Sequence, residues 1–205
     1  MAALTFVRHG ATTQNDSGVF MGRLDFPCRN DALESARMLG EELAAIDFTH
    51  YRTSPLLRCV TTSRAIRPDA HFCLDERLAE RCLGSWSGQS KGALCKTHPY
   101  GFLPSGPLDP RFNPPQGETL QCLASRVFAF LQEIGGLPLN AHVLAVSHNG
   151  VLRMMRCLLE AIPVEIAYSF GEPHLQPCTI EVTPAVLRGS ASRIATFARV
   201  SHVAY

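Results

Sequence analysis

An α/β fold, a three-layer α/β/α sandwich around a largely parallel sheet, is what this sequence predicts, on three observations. Two short apolar runs, Leu4 to Val7 and Ala141 to Ser147, read as buried strands, and each ends in a polar cluster containing histidine. Between and after them, apolar residues recur at helical spacing over stretches of 10 to 16 residues. Strand-like and helix-like segments thus alternate along the chain, the pattern of a parallel sheet covered by helices on both faces.

The first run, Leu4-Thr5-Phe6-Val7, leads directly into Arg8-His9-Gly10. From 31 to 46, Ala32, Ala36, Leu39 and Leu43 share one helical face, with Glu34, Arg37, Glu41 and Glu42 on the others. Ser54-Pro55 resembles a cap with proline in the first turn, so a second helix is expected from there toward Pro68, with Arg58 in its first turn. His71 to Leu74 reads as a short strand. The segment from about 81 to 116 lacks a period, and its second half carries six prolines (99, 104, 107, 110, 114 and 115). It is expected to form a lid or rim within a single domain spanning 1–205. Leu120, Leu123, Val127 and Leu131 then mark a helix stopped by Gly135-Gly136, and an apolar helix is expected from Val151 to Ala161 after Ser147-His148-Asn149-Gly150. Cys178 to Val182 and Ile194 to Val200 are expected as closing strands.

Composition narrows the class. The chain has 205 residues, 46% of them hydrophobic and 18% charged, enough to bury a full core as a soluble globular domain. A net charge of +1 with no basic tract speaks against nucleic acid and anionic membranes as partners. No apolar run approaches a membrane span, and Arg8-His9 interrupts the first one, so a cytoplasmic location is expected. The eight cysteines form no CxxC pair and no zinc-type spacing. Most of them are expected to be reduced, partly buried side chains, with no metal and no cofactor implied.

The chemistry is suggested by what the two strand ends deliver. Arginine offers a planar fork of donors for phosphate oxygens, and an imidazole whose second nitrogen is held by a hydrogen bond can act as a nucleophile. Arg8 and His9 supply both on one glycine-flanked turn. A carboxylic acid beside the ester oxygen would protonate a departing alcohol. Glu80 is one candidate, with Asp75, Glu76 and Glu118 as rivals. Glu118 has the further option of capping the helix that follows it.

These residues carry a resemblance. Arg8-His9-Gly10 with Thr12 and Asn15, Ser54-Pro55 with Arg58, and Arg77-Leu78-Ala79-Glu80 followed by Gly84, Trp86 and Gly88 match in order the motifs of the histidine phosphatase (phosphoglycerate mutase-like) superfamily. Gly117-Glu118-Thr119 and Ser147-His148-Asn149-Gly150 complete the series. Each is short, but five in family order, each at a suitable structural junction, speak against coincidence.

The resemblance implies a phosphoglycerate mutase-like fold and a phosphomonoester hydrolase that needs no metal or cofactor. His9 would attack phosphorus. Arg8, Arg58 and His148 would surround the transferred group, and Glu80 would serve as acid and then base. Asn15, Ser147 and Arg23 are further candidates for binding phosphate or substrate. His50, His71, His98, His142, His174 and His202 match no motif and are expected to be surface or structural.

The sequence departs from the family at Ala11, Gln14 and Ser87, where Glu, Trp and Glu are usual, and at Ala32, where Gly is usual. The first three positions lie where the rim of the site is expected and bear on substrate choice. A small phosphorylated metabolite is the expected partner, with the protein a monomer or homodimer. Two alternatives stand beside hydrolysis. One is a phosphoglycerate mutase, for which Lys91, Lys96 and Arg111 are few cations in the lid. The other is a silent module that only binds phosphorylated ligands.

Overall fold

The computed structural model describes residues 1–169 and 171–200. Five strands form one sheet in the order β3-β2-β4-β1-β5, namely β1 (Ala2–Arg8), β2 (His50–Thr53), β3 (Cys73–Leu74), β4 (His142–Ser147) and β5 (Pro177–Val182). The pairs β1/β4, β2/β4 and β2/β3 are parallel, and only the edge strand β5 runs antiparallel, against β1.

Alternation along the central strands builds two cores. Leu4 and Phe6 of β1, with Val143 and Ala145 of β4, face one side. There they pack under α4 (Leu120–Gly135), α5 (Asn149–Leu159) and α7 (Pro184–Val200). Val7, Leu144 and Val146 face the other side, under α1 (Asn30–Glu42) and α2 (Leu57–Ile66). Adjacent residues of a strand point to opposite faces, so strands covered on both sides are mainly apolar, as β1 and β4 are apart from the buried, hydrogen-bonded Thr5 and the polar strand ends. This is the three-layer sandwich expected.

Helix ends differ from expectation, with α5 spanning Asn149–Leu159 rather than Val151 to Ala161. α1 stops at Glu42 rather than reaching residue 46. α2 begins at Leu57, because the Asp25 carboxylate accepts a hydrogen bond from the Leu57 amide at 2.8 Å and takes the capping role expected of Ser54. α4 is capped as its sequence suggests, although by Thr119, whose hydroxyl accepts from the Cys122 amide, and not by Glu118.

The main correction is at the C-terminus. Ile194–Val200 belongs to α7 and not to a strand. Leu187, Ser190, Ile194 and Phe197 recur at spacings of three and four and lie on the core, with the buried Ser190 hydroxyl bonded to the Leu158 carbonyl at 2.7 Å. That helical stripe outweighs the β-branched and aromatic composition of the last turns.

The lid region is a packed unit. Besides α3 (Lys91–Thr97) it has single 3-10 turns, and its centre is the buried Trp86 ring, stacked on Phe20, Phe102 and Phe112 at centroid distances of 4.9 to 6.0 Å. The buried Arg81 guanidinium ties the segment together, donating to the carbonyls of Glu118, Pro110 and Phe112. A short helix α6 (Val164–Ala167) packs against α5. All eight cysteines are free thiols, three buried, two half-buried and three exposed, so most are at least partly buried as expected. No helix among the described residues is long and apolar enough to cross a membrane.

Candidate active site

The parallel pairing of β1 and β4 puts Arg8 opposite Ser147, and the His9 amide continues the ladder by donating to the Ser147 carbonyl at 3.0 Å. His9 and His148, the next residues of the two strands, therefore meet, with ring centroids 5.1 Å apart. They lie at the carboxyl ends of parallel strands, where α/β sheets characteristically place their sites.

A cavity of about 470 Å³ opens there. Arg8, His9, Asn15, Arg58 and Glu80 line it, as the motifs implied. Arg81, Lys91, Arg153 and Tyr168 line it too, and an apolar wall includes Phe20, Leu83, Phe102 and Leu108.

His9 is 2% exposed, and its Nδ1 lies 2.7 Å from the Gly10 carbonyl oxygen. A carbonyl only accepts, so Nδ1 carries the proton and Nε2 keeps its lone pair. Burial, reinforced by the positive charge of Arg58, holds the His9 pKa well below the usual 6.5. The ring is thus neutral near pH 7.

His148 is fully buried and both its nitrogens are engaged. Arg58 Nε donates to Nδ1 at 3.1 Å, so Nε2 bears the hydrogen and donates to Ser54 Oγ at 2.7 Å. Burial, then Arg58, holds its pKa well below the usual value. The expectation that His148 touches the phosphoryl group directly is therefore revised. It sits behind the cavity and orients Arg58, whose Nη1 and Nη2 donate to the carbonyls of Leu24 and Gly22 at 2.7 and 2.9 Å.

Arg8 donates through Nη1 to the Glu172 carbonyl at 2.5 Å, while its Nε is buried with no hydrogen-bond partner. Burial lowers its pKa to about 10, so it stays charged in neutral solution. Asn15 uses its Oδ1 to accept from the Thr12 amide and hydroxyl at 2.6 and 2.8 Å, which leaves its NH₂ as the group able to donate to a ligand. Ser147 is not available to a ligand, because its buried hydroxyl donates to the Leu78 carbonyl at 2.7 Å and secures the segment leading to Glu80. Arg23 lies outside the cavity lining. Its Nε donates to the Glu80 carbonyl at 3.0 Å, and Nη2 stands 3.8 Å from Glu118.

Among the described residues Glu80 is the single carboxylate lining the cavity. Its Oε1 accepts from the Arg81 amide at 2.8 Å and its Oε2 from the Gly150 amide at 3.3 Å, in the first turn of α5. The rivals are committed elsewhere or exposed. Glu118 is held by Arg126 at 2.6 and 3.0 Å, Asp75 is chelated by Arg77, and Glu76 faces solvent.

Two residues near the site escaped the sequence reading. Arg153 projects from α5 on the same face as Gly150, three residues on, and no motif marks it. His174 packs edge-on to His9 with centroids 5.3 Å apart, and its Nδ1 donates to the His9 carbonyl oxygen at 2.6 Å. It precedes Leu175, a non-glycine residue at φ 58° whose amide donates to the Arg8 carbonyl. His50, His71 and His98 lie away from the cavity, His142 bonds Thr5 within the sheet, and His202 lies outside the described residues.

The model of the histidine phosphatase superfamily (branch 1) matches residues 4–187. The chain belongs to that superfamily. Membership makes it a phosphatase-family enzyme with the fold that the motifs implied. Among its relatives, phosphoserine phosphatase 1 of Hydrogenobacter thermophilus is 28% identical over 173 residues, 83% of this chain and 82% of the relative. The 2,3-bisphosphoglycerate-dependent phosphoglycerate mutase of Rhizobium etli is 28% identical over 191 residues, 89% and 91% of the two chains. The structure of Bacillus stearothermophilus YhfR superposes with a TM-score of 0.81 at 26% identity, covering 90% of this chain and 93% of that one.

Proposed function

We propose that the protein is a metal-independent phosphomonoester hydrolase that works through a phosphohistidine at His9 Nε2 on a small phosphorylated metabolite. The observation that carries this is the His9 Nδ1 to Gly10 carbonyl bond, which leaves Nε2 unprotonated in a cavity it shares with Glu80, Arg8 and Arg58.

In the first half-reaction the Nε2 lone pair attacks phosphorus and the ester P–O bond breaks. Its electron pair stays on the leaving oxygen, which takes the proton of the Glu80 carboxyl group. In the second, water attacks the phosphohistidine phosphorus and yields a proton to the Glu80 carboxylate. The N–P bond breaks, its pair returns to Nε2, and inorganic phosphate leaves. Arg8 and Arg58 neutralise the equatorial oxygens, with Arg58 held in place by His148 before the reaction begins. Asn15 adds a neutral donor.

The test is turnover of p-nitrophenyl phosphate in excess EDTA, beside a His9→Ala variant, with alkaline quenching to trap protein-bound phosphate. Phosphate release that survives chelation, vanishes in the variant and passes through a labelled histidine is expected. Activity that disappears with chelation, or persists in His9→Ala, would overturn the proposal. A mutase would instead return the label to an added acceptor without releasing phosphate.

A further inference from the structure

The cavity holds more positive charge than a phosphoryl group requires. Among the described residues Arg8, Arg58, Arg81, Lys91 and Arg153 line it against the lone carboxylate of Glu80. Two of the five already donate to the protein from every guanidinium nitrogen, although Arg58 keeps one further hydrogen on each Nη for a ligand. Arg81 donates through all three nitrogens to lid carbonyls, and Arg58 through all three to His148, Leu24 and Gly22. Arg8, Lys91 and Arg153 differ, since among the described residues Arg8 donates a single side-chain hydrogen bond, to the Glu172 carbonyl, and Lys91 and Arg153 donate none.

Arg153 is the most telling. Its Nε is buried without a hydrogen-bond partner, and the only other such buried side-chain atom among the described residues is Nε of Arg8, in the same cavity. A buried charged donor left unpaired is costly, and persists where a ligand completes it. The guanidinium carbon lies 5.3 Å from the centre of the buried Tyr168 ring, whose hydroxyl donates to the Gly150 carbonyl. The ring thus backs Arg153 with an aromatic face and supplies no competing carboxylate. Lys91, reaching in from α3, is steadied in the same manner, its ammonium 5.7 Å from the centre of the Phe20 ring.

We propose that Arg153, assisted by Lys91, binds a carboxylate on the substrate, so that the enzyme acts on phosphomonoesters carrying a second acidic group. This rests on the phosphatase reading above, with Arg8 and Arg58 taking the phosphoryl group. A guanidinium offering Nε–H together with one Nη–H presents two parallel donors, which match the two oxygens of a planar carboxylate. The wall of Phe20, Leu83, Phe102 and Leu108 covers the body between the two acidic ends and offers it no polar side chain.

The test uses three non-hydrolysable ligands, benzylphosphonate, its 3-carboxy derivative and the neutral 3-carboxamide. Binding is measured by calorimetry to wild type, Arg153→Met and Arg153→Lys. The carboxylate ligand should bind wild type about tenfold or more tighter than the amide. That preference should fall to within about twofold in Arg153→Met and be partly kept in Arg153→Lys. Equal affinity for carboxylate and amide in wild type would overturn the assignment. So would a preference that survives in Arg153→Met, or a loss of affinity there that is the same for all three ligands. The matching phosphate esters separate this result from the phosphatase reading. Carboxylate-selective binding with no hydrolysis would sink the hydrolase and leave the subsite, whereas hydrolysis without selectivity would do the reverse.

Discussion

Glu80 and Gly150 are fitted to each other, for a Cβ added at Gly150 would lie 2.5 Å from Glu80 Oε1. The same contact lets the Gly150 amide, in the first turn of α5, donate to Glu80 Oε2 and bring the helix N-terminus to the carboxylate. Gly150→Ala should therefore displace the carboxylate and leave the fold intact. Alanine is at least as favourable as glycine in a helix, so unfolding free energy should stay within about 1 kcal/mol of wild type. Meanwhile kcat for alkyl phosphates should fall tenfold or more, as general-acid contributions of about 10²–10⁴ depend on placement. Urea titration and steady-state kinetics read the two effects separately.

Replacing the acid itself should reveal its role through the leaving group. Glu80→Gln is expected to lower kcat for an alkyl phosphate by about 10²–10⁴. p-Nitrophenyl phosphate should suffer much less in the first half-reaction, because nitrophenolate departs without a proton. A burst of nitrophenol followed by slow turnover is the expected trace, since the second half-reaction still needs Glu80 as base. Equal losses on both substrates, with no burst, would contradict the acid–base assignment.

The His9 pKa makes a signed prediction for activity. Burial, then Arg58, holds it well below 6.5, so Nε2 keeps its lone pair down to mildly acidic pH. The acid limb of kcat/KM that reports this histidine should accordingly lie well below pH 6.5. An acid limb centred at 6.5 or above would mean that the imidazole is not desolvated as the structure shows.

The same groups link pH to folding. His9 and His148 both have folded-state values depressed below 6.5, chiefly by burial, while the unfolded chain titrates near 6.5. Below 6.5 the unfolded state binds more protons than the folded one, so stability is full above that pH and declines as pH falls through the window beneath it. Each histidine contributes a slope of up to about 1.4 kcal/mol per pH unit in that window. Urea unfolding between pH 7 and 5 should show the decline, and His9→Asn should make it shallower.

How far the site was legible in the sequence follows from where each residue gets its role. Arg8, His9 and Glu80 line the cavity from a strand end and a motif loop, so local pattern alone singles them out as candidates. The task of His148 was not legible. Its motif marks the residue, but only the convergence of Arg58 from α2 and Ser54 from the end of β2 shows that both ring nitrogens are taken. Arg153 and His174 reach the site through an i, i+3 relation on α5 and a left-handed turn before β5, and neither leaves a local signature. The α7 error has the opposite origin, a short window of strand-like residues read without the longer period of three and four that begins at Leu187. Ser147 was misread because a hydroxyl at a strand end suits a ligand and a neighbouring carbonyl equally well.

Glu118 was a rival for the catalytic acid, and the structure assigns it other work. Its carboxylate is clamped by Arg126 at 2.6 and 3.0 Å and accepts from the Cys82 amide at 3.3 Å, tying the start of α4 to the lid. Its side chain is 10% exposed, so the pair is only weakly screened. Glu118→Gln removes the charge that Arg126 faces while keeping a group able to hydrogen-bond. The expected cost is roughly 1–3 kcal/mol of stability, the range for hydrogen bonds to charged groups. Yet Glu118 does not line the cavity, so kcat should stay within about threefold of wild type and the response to leaving group should not change. If Glu118→Gln instead reproduced the alkyl-phosphate defect expected of Glu80→Gln at undiminished stability, the acid would have to be reassigned to Glu118. The Glu80 contacts with the Arg81 and Gly150 amides would then be structural.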